Sequence, residues 1–149
     1  MFKKAIFFLG VLLMASVFAY AEDKFTVSGE VTFPKTKGEL HVKLKTQGEY
    51  EKGKQVPEDR RMIIKLSVQQ LKSKKASFEF VNVPVGDYLI TCFQDLNKNG
   101  KLDFSPSSFG EPAPDEPRGS YKPPAWPRGW DTSKFKVDKD IAGIKIDLR

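Results

Sequence analysis

The amino-acid sequence predicts an all-β protein, a single antiparallel β-sandwich of about seven short strands with a long Pro/Trp-rich loop. Three observations predict this class. Apolar and polar residues alternate with a period of two in several short runs, no stretch has convincing helical periodicity, and turn residues separate the runs. The 149 residues suffice for about one domain, and the 30% of charged residues excludes a polytopic membrane protein.

The N-terminal segment has the three-part layout of a secretory signal peptide. Lys3 and Lys4 precede an apolar stretch over residues 5–18, and a small-residue pattern ends at Ala21. A membrane anchor is the alternative, but the apolar stretch falls short of the roughly 20 residues that span a bilayer. We therefore expect cleavage after Ala21, a periplasmic or secreted domain over residues 22–149, and no transmembrane segment in the mature chain.

The first half of the mature chain is predicted to form four strands. Pro34 ends the first of them. The second alternates apolar residues with His41 and Lys43, which are expected on a face exposed to water. A polar, Lys-rich connection over residues 69–75 separates the last two. The four strands are predicted over residues 25–33, 40–44, 62–68 and 76–80.

The second half supplies three more strands, and one of them should be central. A turn over residues 83–88 leads into a run that is apolar on both faces, as expected of a strand inside a sheet. Residues 57–59 are the one place where a short helical turn is expected. The three strands are predicted over residues 88–93, 135–137 and 144–148. The predicted core comprises Phe25, Val27, Val31, Leu40, Val42, Leu44, Ile64, Leu66, Phe78, Phe80, Ile90, Ile144 and Ile146.

A long loop over residues 104–133 contains seven of the ten prolines and both tryptophans. A loop of this length inside a compact domain is either functional or disordered, and its aromatic content favours order. Two interpretations remain open. The aromatic rings pack onto the end of the sandwich as a lid, or they line a groove for a sugar or peptide, with Tyr121, Trp126 and Trp130 as candidate ligand-binding residues.

Residues 95–103 carry the most specific motif, because they fit the first nine positions of the calcium-loop pattern. Oxygen-bearing side chains alternate, and Gly100 stands at the sixth position, where the chain must turn sharply. A hard cation prefers several converging oxygens, at about 2.3–2.6 Å. The predicted ligands are the side chains of Asp95, Asn97, Asn99 and Asp103 with the main-chain carbonyl of Lys101.

The twelfth position of this motif is Pro106 rather than the usual bidentate glutamate. The site is therefore expected to be weak, with a dissociation constant of about 10⁻⁴ to 10⁻³ M, unless Glu111, Asp115 or Glu116 folds back to complete it. The alternative is an Asx-rich turn without metal, in which Asn99 and Gly100 adopt left-handed conformations.

Charge is distributed unevenly along the chain. Residues 35–75 contain 12 basic and five acidic residues, whereas residues 76–149 contain ten basic and 11 acidic ones. A basic face could attract anionic polymers or lipids, although scattered lysines also keep strand edges soluble.

Catalytic candidates are few: His41 is the single histidine, and Cys92, the single cysteine, lies in an apolar run where a buried, inert thiol is expected.

The chain resembles a known but uncharacterised family. Residues 80–88, leading through a strand into residues 93–103, are similar to exported bacterial proteins catalogued as a domain of unknown function, the 2141 family. That family usually has His immediately before the motif Asp, where this chain has Gln94. The turn before Tyr88 also resembles carboxypeptidase-regulatory and transthyretin-like sandwiches, which implies a prealbumin/Ig-like fold and no established activity. Transthyretin-like hydrolases carry a C-terminal Tyr-Arg-Gly-Ser motif. In this chain the segment Arg118-Gly119-Ser120-Tyr121 is internal and has a different order, so that enzyme is rejected.

Together these features predict an exported, non-enzymatic binding module, in which a Ca²⁺ ion, the one cofactor considered, organises the Pro/Trp loop. No catalytic residue is assigned. The alternative is an envelope structural or accessory protein that docks on anionic polymer or lipid through its basic first half, without metal. The partner is an unknown envelope component or small ligand, and no specific nucleic acid is expected.

Overall fold

The computed structural model describes residues 22–122 and 129–149, so the predicted signal peptide lies outside the described residues. Within these ranges the chain forms ten strands and three short α-helices. None of the described helices is long and apolar enough to cross a membrane. The elements are β1 (Lys24–Thr32), β2 (Glu39–Lys45), α1 (Gln47–Glu51), β3 (Arg61–Lys65), α2 (Val68–Ser73), β4 (Lys75–Pro84), β5 (Gly86–Asp95), β6 (Phe104–Ser105), β7 (Ala113–Pro114), β8 (Arg118–Ser120), α3 (Trp130–Ser133), β9 (Phe135–Val137) and β10 (Ile141–Asp147).

Two sheets face each other. The first has the strand order β10-β1-β4, and the second has the order β3-β2-β5-β8. Strand β9 also pairs with β5, at the end of β5 opposite to the part that pairs with β8. Strands β6 and β7 form a separate two-residue ladder. Strand β5 is therefore central in the second sheet, as its apolar sequence predicts.

One hydrophobic core joins both sheets, which confirms the prediction of an all-β sandwich. Inward side chains alternate with outward ones along each strand, as the period-two pattern requires. Ten of the 13 predicted core residues are buried, while Phe25, Ile64 and Leu66 are half-buried and pack against the core. Cys92 is buried as expected, and burial raises the pKa of its thiol well above the usual range.

Strand direction departs from the prediction at one pair, because β1 and β10 run parallel, with Val31 opposite Ile146. Alternation assigns residues to a face but carries no information on strand direction. Parallel neighbours need a long connection between them, and nearly the whole domain separates the first strand from the last. Every other strand pair in the described residues is antiparallel.

A short helix replaces the end of one predicted strand, and a predicted helical turn is present. The third strand ends at Lys65 rather than at Val68, which begins helix α2. The Ser67 side chain accepts a hydrogen bond from Gln70 N at 3.2 Å, and the Gln70 side chain accepts one from Ser67 N at 2.9 Å. This capping box starts the helix where alternation alone suggested a strand. The helical turn expected at residues 57–59 is present as a 3-10 turn, Glu58–Arg60.

An ion pair between the buried Glu49 and the half-buried Arg60 fixes the connection between β2 and β3. Arg60 donates two hydrogen bonds to Glu49, at 2.7 and 2.6 Å, and a third to Leu44 O at 3.1 Å. Thr46 N donates to the same carboxylate at 2.8 Å. Burial alone would raise the pKa of Glu49, but the hydrogen bonds from Arg60 and Thr46 and the charge of Arg60 outweigh it, so the pKa is lowered.

We predict that Arg60→Met lowers the free energy of unfolding by about 3 kcal/mol at pH 7, because it leaves the Glu49 carboxylate buried without its partner. A lowered pKa stabilises the fold above the unfolded-state value of 4.5, and this contribution is lost as pH falls through the folded-state pKa. The deficit of the variant should therefore shrink below that pH. Urea unfolding of the wild type and the variant, at pH 7 and at a pH below the folded-state pKa of Glu49, measures this deficit.

The neighbouring Arg61→Met is the matched control. Arg61 forms an exposed ion pair with Glu58 at 3.1 Å, which should contribute less than about 1 kcal/mol. Equal losses from the two substitutions would contradict a special role for the buried pair.

Candidate functional site

The candidate site begins where β5 ends, with Asp95. This carboxylate is fully buried, and the main chain of Asp95 lies opposite Glu39 in the ladder between β5 and β2. Its Oδ1 accepts a hydrogen bond from Asn99 N at 3.2 Å, and its Oδ2 accepts one from Gly100 N at 2.7 Å. The side chain of the last strand residue thus closes the loop over residues 95–103.

Three other predicted ligands converge within this loop. Asn97 Nδ2 donates to Asp103 Oδ2 at 2.7 Å, and Asn99 Nδ2 donates to Asp103 Oδ1 at 3.0 Å. The two amide oxygens accept main-chain hydrogen bonds, from Asn99 N at 3.1 Å and from Lys101 N at 2.9 Å. The structure therefore brings Asp95, Asn97, Asn99 and Asp103 together in consecutive Asx turns.

The backbone of the loop agrees with one conformational expectation and corrects another. Gly100 has a φ of +79°, in the left-handed region that favours glycine. The second left-handed residue of the loop is Lys98, with a φ of +61°, rather than Asn99. Asn99 keeps a negative φ, and its side-chain oxygen accepts a hydrogen bond from Lys101 N, so the two left-handed residues of the loop flank Asn99.

Glu116 folds back onto the loop from outside it. Its side chain is buried, and its two oxygens accept hydrogen bonds from Leu96 N at 2.7 Å and from Asp103 N at 3.2 Å. Asp115 contributes its main-chain N–H to Asp103 O at 2.9 Å, while its carboxylate accepts from Ser105 Oγ. Of the three acidic residues considered from the sequence, Glu116 is the one whose carboxylate reaches the loop; the side chain of Glu111 is exposed.

His41 is buried, which corrects the prediction that it lies on a wet face. It does point away from the core, but its ring stacks on Phe93, the residue opposite it on β5, with ring centroids 4.8 Å apart. Its Nε2 lies 3.0 Å from Glu39 Oε1 and 3.3 Å from Asp95 Oδ2. The three ligand atoms lie within 4.8 Å of one another, a spacing that could hold a metal ion.

Gln94 has a structural role in this chain. It is fully buried, and its amide donates to the carbonyls of Lys35 and Lys37 at 2.7 and 2.8 Å, while its oxygen accepts from Lys35 N at 3.2 Å. Three hydrogen bonds from one side chain hold the turn between β1 and β2 against the end of β5. Gly38, in the same turn, lies so close to the end of β5 that a Cβ atom there would collide with the main-chain carbonyl of Asp95.

With Glu116, the loop over residues 95–103 has three carboxylates and two lysines, Lys98 and Lys101, which leaves an excess of one negative charge. The described residues place no lysine or arginine in an ion pair with Asp95, Asp103 or Glu116. These carboxylates are satisfied by main-chain N–H groups, amide groups and His41. Main-chain and amide donors lower the cost of burying an anion but do not cancel its charge, so the loop offers a favourable potential to a cation.

The aromatic candidates have separate partners. The Tyr121 ring packs edge-on against Phe135 at 5.3 Å, and the buried Trp130 ring lies 6.2 Å from that of Tyr50. Trp126 lies outside the described residues. Tyr121 therefore packs against β9 and Trp130 against α1. The predicted loop over residues 104–133 also contains β6, β7, β8 and α3.

Comparison with known proteins identifies a family. A family model described as an uncharacterized protein conserved in bacteria (DUF2141) matches residues 22–144. No curated protein and no solved structure matches the chain.

We predict that Glu116→Ala lowers the free energy of unfolding by about 2 kcal/mol, because two main-chain N–H groups lose their acceptor. Amide hydrogen exchange should accelerate at Leu96 and Asp103. Glu111→Ala, which removes an exposed carboxylate, is the control and should change stability by less than about 0.5 kcal/mol. Unaltered exchange at Leu96 and Asp103 in Glu116→Ala would contradict this role.

Proposed function

We propose that this chain, which belongs to the DUF2141 family of uncharacterized bacterial proteins, is an exported, non-enzymatic binding module whose 95–103 loop binds Ca²⁺. One observation carries the proposal: three carboxylates, those of Asp95, Asp103 and Glu116, accept hydrogen bonds from groups of this loop, and none forms an ion pair with a lysine or arginine among the described residues. A divalent cation would supply the missing positive charge.

The donor set suits calcium. Ca²⁺ takes about six to eight oxygen ligands from carboxylates, amide and main-chain carbonyls, and water. Asp95 Oδ1 accepts one hydrogen bond and keeps a second lone pair for a metal. A half-turn of the Asn97 and Asn99 amides would direct oxygen instead of NH₂ toward Asp103, with loss of the hydrogen bonds that these oxygens accept from Asn99 N and Lys101 N. His41 would remain a positioning residue, because a hard cation does not favour its nitrogen.

The bound ion would connect two parts of the chain. Asp95 belongs to the end of β5, whereas Glu116 lies between β7 and β8. Calcium at the loop would therefore fix the segment over residues 104–120 on the sheet, leaving that segment to present a binding surface. The chain contains a single cysteine, so within one molecule no disulfide can make such a link.

Two features support export and binding rather than catalysis. The N-terminal segment has the pattern of a signal peptide, and the family match begins at residue 22, next to the expected cleavage position. Cys92 is buried with a raised pKa, which disfavours the thiolate that a nucleophile needs.

We predict that calcium raises the thermal unfolding midpoint of the wild type and leaves that of Asp103→Asn unchanged. With a dissociation constant in the weak range and calcium about tenfold above it, the wild type should gain about 1.4 kcal/mol. Unfolding is measured with calcium and with chelator for each protein. Asp103 suits the test better than the fully buried Asp95, whose loss would disturb the fold itself.

Asp87→Asn is the matched control, because it removes the same charge from an exposed position at the other end of β5. It should respond to calcium as the wild type does. If the wild type unfolds at the same temperature with calcium and with chelator, the loop is an Asx turn without metal. A normal response of Asp103→Asn would also reject the site.

A further inference from the structure

A second charged feature lies on the outer face of the second sheet, in a pocket of about 250 Å³. Lys43 and Lys45 occupy alternate positions of β2 and share its outward face. Arg61 lies opposite Lys43 on β3, and Lys54 belongs to the connection between α1 and β3 that lines the pocket. Four basic side chains therefore surround one small space.

The protein neutralises the positive charge of this pocket only in part. Like charges on opposite residues of paired strands destabilise a sheet, and Lys43 and Arg61 form such a pair. Within the described chain Lys43, Lys45 and Lys54 form no ion pair. Arg61 has an exposed partner, Glu58.

The one carboxylate that lines the pocket is already engaged. Both oxygens of Glu49 are bound by Arg60, and one also accepts from Thr46 N. Burial, followed by the charge of Lys43, lowers the pKa of Lys45, while Glu49 has a smaller opposing effect. The Lys45 ammonium is thus held where its charge is unfavourable without a counterion.

We propose that this pocket binds a tetrahedral oxyanion, a phosphate or sulfate group, between Lys43, Lys45, Lys54 and Arg61. Lysines bind such groups as point charges, and arginine can bind two oxygens at once. The pocket is smaller than the roughly 300–1,000 Å³ typical of drug-sized ligands, which suits a single anionic group. This site is separate from the loop over residues 95–103 and does not depend on calcium there.

The experiment titrates inorganic phosphate into the mature protein, residues 22–149, at constant ionic strength with chelator present, and follows the unfolding midpoint. The wild type should show a saturable rise. Lys43→Gln/Lys45→Gln should bind at least tenfold more weakly, because it removes two of the four charges that contact the anion. Lys72→Gln/Lys74→Gln removes the same charge from exposed positions at the end of α2 and should behave as the wild type.

Further arms distinguish the source of the anion. Sulfate in place of phosphate tests the free ion, and vesicles of phosphatidylcholine with phosphatidylglycerol test a phosphate carried by a lipid surface. If retention on vesicles falls equally in both double variants, the lipid phosphate is bound by a diffuse basic face, and the proposal of a pocket is overturned. An absent phosphate response in the wild type would also overturn it. Asp103→Asn should keep the phosphate response, so failure of the calcium site and failure of this one are distinguishable.

Discussion

A fully buried carboxylate at the end of the central strand is the constraint on which this end of the sandwich depends. An ionised carboxylate is costly to bury unless hydrogen bonds replace its water. Asp95 obtains two of them from the main chain of the loop that follows it, and His41 of the neighbouring strand lies 3.3 Å away. The same charge thus folds the loop back and holds β2 against it. Gly38 is required beside it, because a side chain there would meet the main chain of Asp95.

Alternation predicted the sandwich because a half-buried strand repeats every two residues, whatever its partners are. What covers an outward face is decided by strands that are distant in sequence. Lys43 and His41 share the outward face of β2, but only His41 faces a ring, that of Phe93, and is buried beneath it. The direction of β10 is a similar case, since its pairing with β1 joins the two ends of the domain.

The candidate loop could be predicted residue by residue because its contacts are local. Asp95 and Asn97 reach main-chain groups only two to five positions away, so spacing alone specifies them. Glu116 is different, because it binds the loop from 20 and 13 positions beyond Leu96 and Asp103. The sequence could name it among three acidic residues but not select it. The Glu49 and Arg60 pair lacked even that signal, since neither residue belongs to a recognisable motif.

The outward face of β2 links the two proposed sites and also separates them. Its side chains change along the strand from Glu39 and His41, beside the acidic loop, to Lys43 and Lys45, beside the basic pocket. Extended chain rises about 3.4 Å per residue, so the nearest members of the two groups, His41 and Lys43, lie about 7 Å apart along the strand. This is within the Debye length of about 8 Å at physiological ionic strength, so salt screens the charge at one site from the other only in part. One strand thus carries two sites of opposite charge whose ligands can affect each other weakly through electrostatics.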